Sequence, residues 1–149
     1  MNIKKALFKH CLEFVQNRHN TIVESINQIQ LSLLSETKSS AGDKHETGRA
    51  MLQLEREKAG AQLAEIQKIK ETLLKIDITS AQQIIGLGSV IYTQDTNYFI
   101  AISAGELKVN NEEFFAISAG TPIGKLLIGK SKGDLVSFRD RKICIINVY

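Results

Sequence analysis

Asp43 and Glu46 are two carboxylates three positions apart, inside a stretch (Ser35 to Ala50) that holds no large apolar residue. A segment with nothing to bury is expected to lie exposed, as a turn or a tip. Two chemistries fit the pair. As a D-x-x-E capping box, Asp43 accepts a hydrogen bond from an early backbone N–H of the following helix and Glu46 reaches back. As a metal site, two carboxylates are too few for a closed Ca²⁺ cage but suit Mg²⁺, which uses one or two and keeps waters or substrate oxygens. The spacing admits both, since a cap can release its side chain at little cost. Lys38, Lys44 and Arg49 make the same stretch electrically mixed. They read either as solvated charges or as contacts to a nucleic-acid backbone. His45 is expected to be solvated, with phosphate as its one plausible contact.

Other residue types that suggest chemistry lead nowhere. Ser118 has no His or acidic partner in its own segment, which argues against a hydrolase nucleophile. Gly129-Lys130-Ser131 matches a phosphate loop only superficially, because the spacing of Gly124, Gly129 and Gly133 is wrong. Cys11 and Cys144 sit at opposite ends of the chain in apolar surroundings and match no metal-ligand spacing. Two buried thiols in a reducing compartment are expected.

The elements that must position the acidic pair are two long helices. From Ile3 to Leu34 the apolar residues Leu7, Cys11, Phe14, Ile22, Ile26, Ile29 and Leu33 recur at helical spacing, broken by Arg18. At 1.5 Å per residue such a helix spans roughly 45–50 Å. A narrow apolar stripe cannot stabilise it alone, so it needs a partner. Glu46 to Ile76 supplies one, with Leu52, Ala59, Leu63, Ile66, Leu73 and Ile76 on one side. A polar turn between the two predicts an antiparallel hairpin with coiled-coil-like packing over residues 1–77. The apolar period drifts from a strict heptad, which predicts little regular supercoil. Met51 and Leu54 are expected to pack.

After a linker at Ile78–Ala81 the texture changes to short apolar segments separated by turn residues. Strands are predicted at Gly88–Tyr92, Tyr98–Ser103, Glu106–Val109, Glu113–Ile117, Asp134–Phe138 and Lys142–Val148, with turns at Asn97, Gly105, Asn110-Asn111, Gly120, Gly133 and Asp140. Thr121 as N-cap, Pro122 at the first position and Gly129 as the stop predict one short helix. The whole is an α+β chain: a helical hairpin, then a small domain over 82–149.

Composition agrees with a folded chain. Of its 149 residues 43% are hydrophobic and 23% charged, and the net charge of +3 is too small to announce a nucleic-acid binder. No apolar run is long enough to cross a bilayer and the basic N-terminus lacks a secretory core, so a cytoplasmic protein is expected.

Ser118 to Asp134 resembles the C-terminal signature of the GreA/GreB transcript cleavage factors: Ser-x-x-Ser-Pro, an aliphatic residue, Gly or Ala, a short apolar helix, then Gly-Asp. Thr121 stands where that family usually has Ser. Gly88-Ser89-Val90 looks like the family's first C-terminal strand, and Gly42-Asp43-x-x-Glu46 is similar to its Gly-Asp-x-x-Glu. The resemblance implies an antiparallel coiled coil followed by an FKBP-like domain that docks on bacterial RNA polymerase at its secondary channel. It implies that Asp43 and Glu46 help hold a Mg²⁺ in the polymerase active site, beside the 3′ end of the nascent RNA. Hydrolysis of backtracked RNA is then the polymerase's own, so the chain is not itself an enzyme and has no cofactor of its own; a monomer is expected. Ser118, Thr121, Pro122, Ile123 and Gly124 would form the docking surface. Where the family has Asn-Ala-Glu-Tyr after the glutamate, this chain has Thr47-Gly48-Arg49-Ala50. That departure raises the alternative of a secondary-channel regulator that does not promote cleavage. A coiled-coil adaptor is the reading from outside the family.

Overall fold

The computed structural model describes residues 2–38 and 42–149, with the side chains of 37–38 and 42–45 left aside. Two compact units form: Val15–Lys70, and Met1–Phe14 together with Glu71–Tyr149.

The first unit is built from residues 15–38 of α1, which runs over Ile3–Lys38, and 42–70 of α2, which runs over Gly42–Leu74; the remaining turns of both helices belong to the second unit. Both run further than expected toward the segment that connects them, while α2 ends two residues short of the expected Ile76. The backbone is helical to Lys38 and again from Gly42, where an exposed turn over 35–50 was predicted. Polar residues such as Ser, Glu, Thr and Lys do not forbid a helix; they only fail to announce one. The pairing is antiparallel: Arg49 meets Leu33 near one end, while Arg18 and Ile22 line a groove with Ala61, Glu65 and Ile69 further along.

Burial along α1 selects Val15, His19, Ile22, Ile26, Ile29 and Leu33; along α2 it selects Leu52, Arg56, Ala59, Leu63, Ile66 and Lys70. Both series alternate in steps of four and three, the spacing of a heptad seam, with Val23, Gly60 and Ile69 half-buried beside them. The expected drift from a heptad is not seen at these positions. It came from counting Phe14 and treating Arg18 as a break. Instead Val15 is the buried residue, Phe14 is half-buried, and the seam passes through His19. Arg56 and Lys70 occupy seam positions too, where long aliphatic stems can cover apolar surface while the charge stays wet. Met51 and Leu54 flank the seam residue Leu52 and are 62% and 67% exposed, so they do not pack.

His19 is the weak point of the seam. Its Nδ1 is enclosed and finds no hydrogen-bond partner among the described residues. An enclosed polar atom without a partner costs about 1–3 kcal/mol. His19→Leu should therefore raise stability by roughly that amount in urea denaturation, whereas Ile26→Ala should lose about 2–5 kcal/mol.

The second unit is built on one six-stranded sheet: β1 Val90–Thr93, β2 Asn97–Ile100, β3 Gly105–Val109, β4 Glu112–Ile117, β5 Leu135–Phe138 and β6 Arg141–Val148. Their order across the sheet is β3-β4-β2-β1-β6-β5. Every neighbouring pair is antiparallel except β2 and β4. All six predicted strands are present. Asn97, predicted as a turn, is instead the first residue of β2, paired with Phe114. Two-residue hairpins at Asn110-Asn111 and Arg139-Asp140 have positive φ at both positions, as a type I′ turn requires.

One sheet face buries Ile91, Ile100, Val136, Ile143 and Ile145 with Ile85 and with Leu127 of a short helix, α3 (Pro122–Leu127). The register puts Val90, Phe99, Phe114 and Ala116 on the opposite face, and all four are buried. Gly88 approaches Ile76, of the same unit, so closely that a Cβ there would lie 2.8 Å from Ile76 Cγ2, and its φ of +90° suits only glycine. Cys11 is buried, its thiol pushed up to about 12 by desolvation. Cys144 is only half-buried, contrary to expectation, because β6 alternates and Ile143 and Ile145 take the inner face.

The predicted linker at 78–81 is a pinned turn. Asp77 accepts from the Thr79 N–H at 2.9 Å, the Thr79 hydroxyl at 2.6 Å and the Ser80 hydroxyl at 3.0 Å. Those donors, the Thr79 hydroxyl foremost, hold its carboxyl at about 2 instead of 3.8. Stability from a lowered carboxyl is complete above its ordinary value and fades as pH falls through the folded one. Acid titration of Asp77→Asn should lack the part of the stability loss between pH 3.8 and about 2.

Candidate functional site

Two places hold the residues singled out by sequence. At the end of the hairpin where α1 and α2 are joined, Asp43 and Glu46 both fall in the first turns of α2, one turn apart and therefore on one flank of the helix. Glu46 is exposed. The side chains of Asp43, Lys38, Lys44 and His45 lie outside the described residues, and so does the capping geometry expected of Asp43. Since α2 already begins at Gly42, Asp43 is a helical residue in its backbone.

Arg49 follows Glu46 by three residues and is half-buried. Its Nη1 donates to the Leu33 carbonyl of α1 at 3.5 Å, a long contact but one that ties the two helices together. A guanidinium near the C-terminal turns of α1 also complements the negative end of that helix. Gly48 is not sterically required: a Cβ there would lie 3.6 Å from the Glu36 carboxylate, ordinary van der Waals contact. Among the described residues no three His, Cys, Asp or Glu side chains converge as a metal cage.

The second place is the loop from Ser118 into α3. Thr121 is its N-cap, with extended backbone (φ −69°, ψ 157°). Its Oγ1 accepts from the Gly124 N–H at 3.1 Å and donates to the Ser118 carbonyl at 2.8 Å. Pro122 occupies the first helical turn, where its missing N–H costs nothing. A Cβ on Gly124 would sit 2.4 Å from the Ser118 carbonyl oxygen, so only glycine fits. The chain leaves the helix at Gly129, with φ +85°.

Of the five residues expected at a docking surface, Ser118, Thr121 and Gly124 thus meet one another in the cap. Ile123 is half-buried against the core, and Pro122 is exposed. Beside them sequence reasoning missed Leu126 and Ile128, which are 37% and 38% exposed. The signal was available: once Ile123 and Leu127 face inward on so short a helix, their neighbours must face out.

No protein-family model matches the chain, and no curated protein matches it. Among solved structures, the chain is similar to the GreA factor homolog 1 (Gfh1) protein of Thermus thermophilus, at 19% identity and a TM-score of 0.35. That likeness covers 88% of this chain and 94% of the other. A second solved structure, described as the transcription factor Gfh1, is similar at 18% identity and a TM-score of 0.35, over 89% and 93% of the two chains. Among the described residues no helix is long and apolar enough to cross a membrane.

Two substitutions check the local reading. Gly124→Ala should cost about 1–3 kcal/mol in denaturant unfolding because a backbone oxygen stands in the way. Gly48→Ala should instead stabilise by up to about 1 kcal/mol, as expected for a helical glycine with room for a methyl group.

Proposed function

We propose that the chain is an accessory factor of bacterial RNA polymerase that enters the secondary channel with the end of its hairpin. The observation that carries the proposal is the acid pair one turn apart at the start of α2, in a chain that also bears the Ser-x-x-Thr-Pro-Ile-Gly loop. Residues 15–38 of α1 amount to about 36 Å of helix, long enough to carry a charged end away from any globular body. The small domain, FKBP-like in this reading, docks through the α3 loop, with Pro122 as contact residue and Ser118, Thr121 and Gly124 holding its shape.

Asp43 and Glu46 act as ligands toward a Mg²⁺ held by the polymerase. Two carboxylates on one helical flank fit an ion that keeps its other positions for water and substrate. Bound there, the ion would lower the pKa of a water and stabilise charge on the phosphate under attack. The chain's own part is to present negative oxygen beside the RNA 3′ end, with Lys38, Lys44 and Arg49 near enough in sequence to touch the RNA backbone. The chain lacks catalysis of its own in this reading, works as a monomer and is cytoplasmic.

Arg49 favours a second reading. The cation stands where related tips carry an acid, and its bond to Leu33 occupies the space between the helices. A tip altered in this way would occupy the channel and inhibit without promoting cleavage.

One assay separates the readings. Backtracked elongation complexes with Mg²⁺ should release short 3′ RNA fragments faster when wild-type protein is added. Asp43→Asn with Glu46→Gln should remove at least 10²-fold of that stimulation, the scale of losing a group that stabilises a transition state. Binding without any stimulation by wild type establishes the second reading, and no binding at all overturns both.

A further inference from the structure

The second unit holds a cavity of about 600 Å³ that none of this uses. The residues that line it include Ile3 and Lys4 from the start of α1, Ser80 from the pinned turn, and Tyr92 and Tyr149. The two rings meet edge to face, with centroids 5.8 Å apart.

Lys4 is in an unfavourable position twice over. It is only 4% exposed, and a buried ammonium needs partners. It also sits in the first turn of a 36-residue helix, whose positive end repels a cation, and that turn contains no acidic residue. Its Nζ donates to the Ser80 carbonyl at 2.9 Å. Of its three protons this is the one with a partner among the described residues. Asp77 attracts it from a distance, but that carboxylate already serves Thr79 and Ser80. Asn2 caps the helix by accepting from the Lys5 N–H through Oδ1 at 3.2 Å and from the Ala6 N–H through its carbonyl at 3.3 Å. No partner is seen for the N–H groups of Ile3 and Lys4 among the described residues.

A buried lysine, the start of a helix and two tyrosines thus line one cavity of ligand size. We propose that it binds a small molecule with an anionic oxygen head, phosphate or carboxylate, joined to a planar ring. The head lies against Lys4 and the start of α1, where it relieves both conflicts, and the ring lies against Tyr92 and Tyr149.

Phenyl phosphate is a suitable probe, followed by NMR on the full chain with labelled lysine and tyrosine. It should shift the Lys4 ε signals and the Tyr92 and Tyr149 ring signals saturably and raise the Lys4 pKa. Phenol, which lacks the anion, should bind at least tenfold more weakly, and Lys4→Met should weaken phenyl phosphate at least tenfold. The titration of unaltered protein decides the matter if Lys4→Met does not fold. No saturable shift at Lys4 up to about 10 mM phenyl phosphate, or equal binding of phenol, overturns the proposal.

Discussion

Alternation of enclosed side chains in steps of four and three, on both helices at once, is the constraint on which the hairpin depends. Each helix alone is too polar to hold together in water. Locked along a heptad seam, they fix each other's register, and a slip by one residue would expose Ile22, Ile26 and Ile29 together. The seam continues through Arg49, half-buried and bonded to Leu33. With Arg49 on the seam, the helical register puts positions 43 and 46 to one side of it. The same packing that stabilises the hairpin therefore decides which flank the acids occupy.

The seam is not apolar throughout. His19, Arg56 and Lys70 take positions that an aliphatic residue would fill more favourably. A polar residue at such a position weakens a coiled coil but restricts its register. The α3 loop follows a similar logic on a smaller scale. A single hydroxyl, that of Thr121, satisfies one orphan N–H and one loop carbonyl, and Gly124 lets the chain pass close enough for it to do so.

Much of this was legible in the sequence, for reasons that differ between elements. The strands were readable because alternation and turn residues coincide, as at Glu112–Ile117 after Asn110-Asn111. The cap at Thr121-Pro122 was readable because few residues suit those two positions. The parallel pairing of β2 with β4 was not, since nothing local separates it from an antiparallel one. Nor was the true seam, because counting only apolar residues chooses Phe14 over Val15 and overlooks His19. Met51 and Leu54 misled in the opposite sense: their hydrophobicity suggested packing, while their place beside Leu52 turns them to solvent. Lys4 gave no signal at all. One lysine among the 19 Lys and Arg residues looks like any other until tertiary structure closes over it.

The proposed function turns on where the start of α2 goes if the chain binds RNA polymerase. Photo-crosslinking from position 47, beside Glu46 and outside the acid pair, reads that location directly. With a crosslinker at Thr47 in the otherwise unaltered chain, the account predicts an adduct on the polymerase segment that carries the ligands of the catalytic Mg²⁺. An adduct confined to the outer surface of the polymerase, or none in a complex shown to be bound, would contradict it.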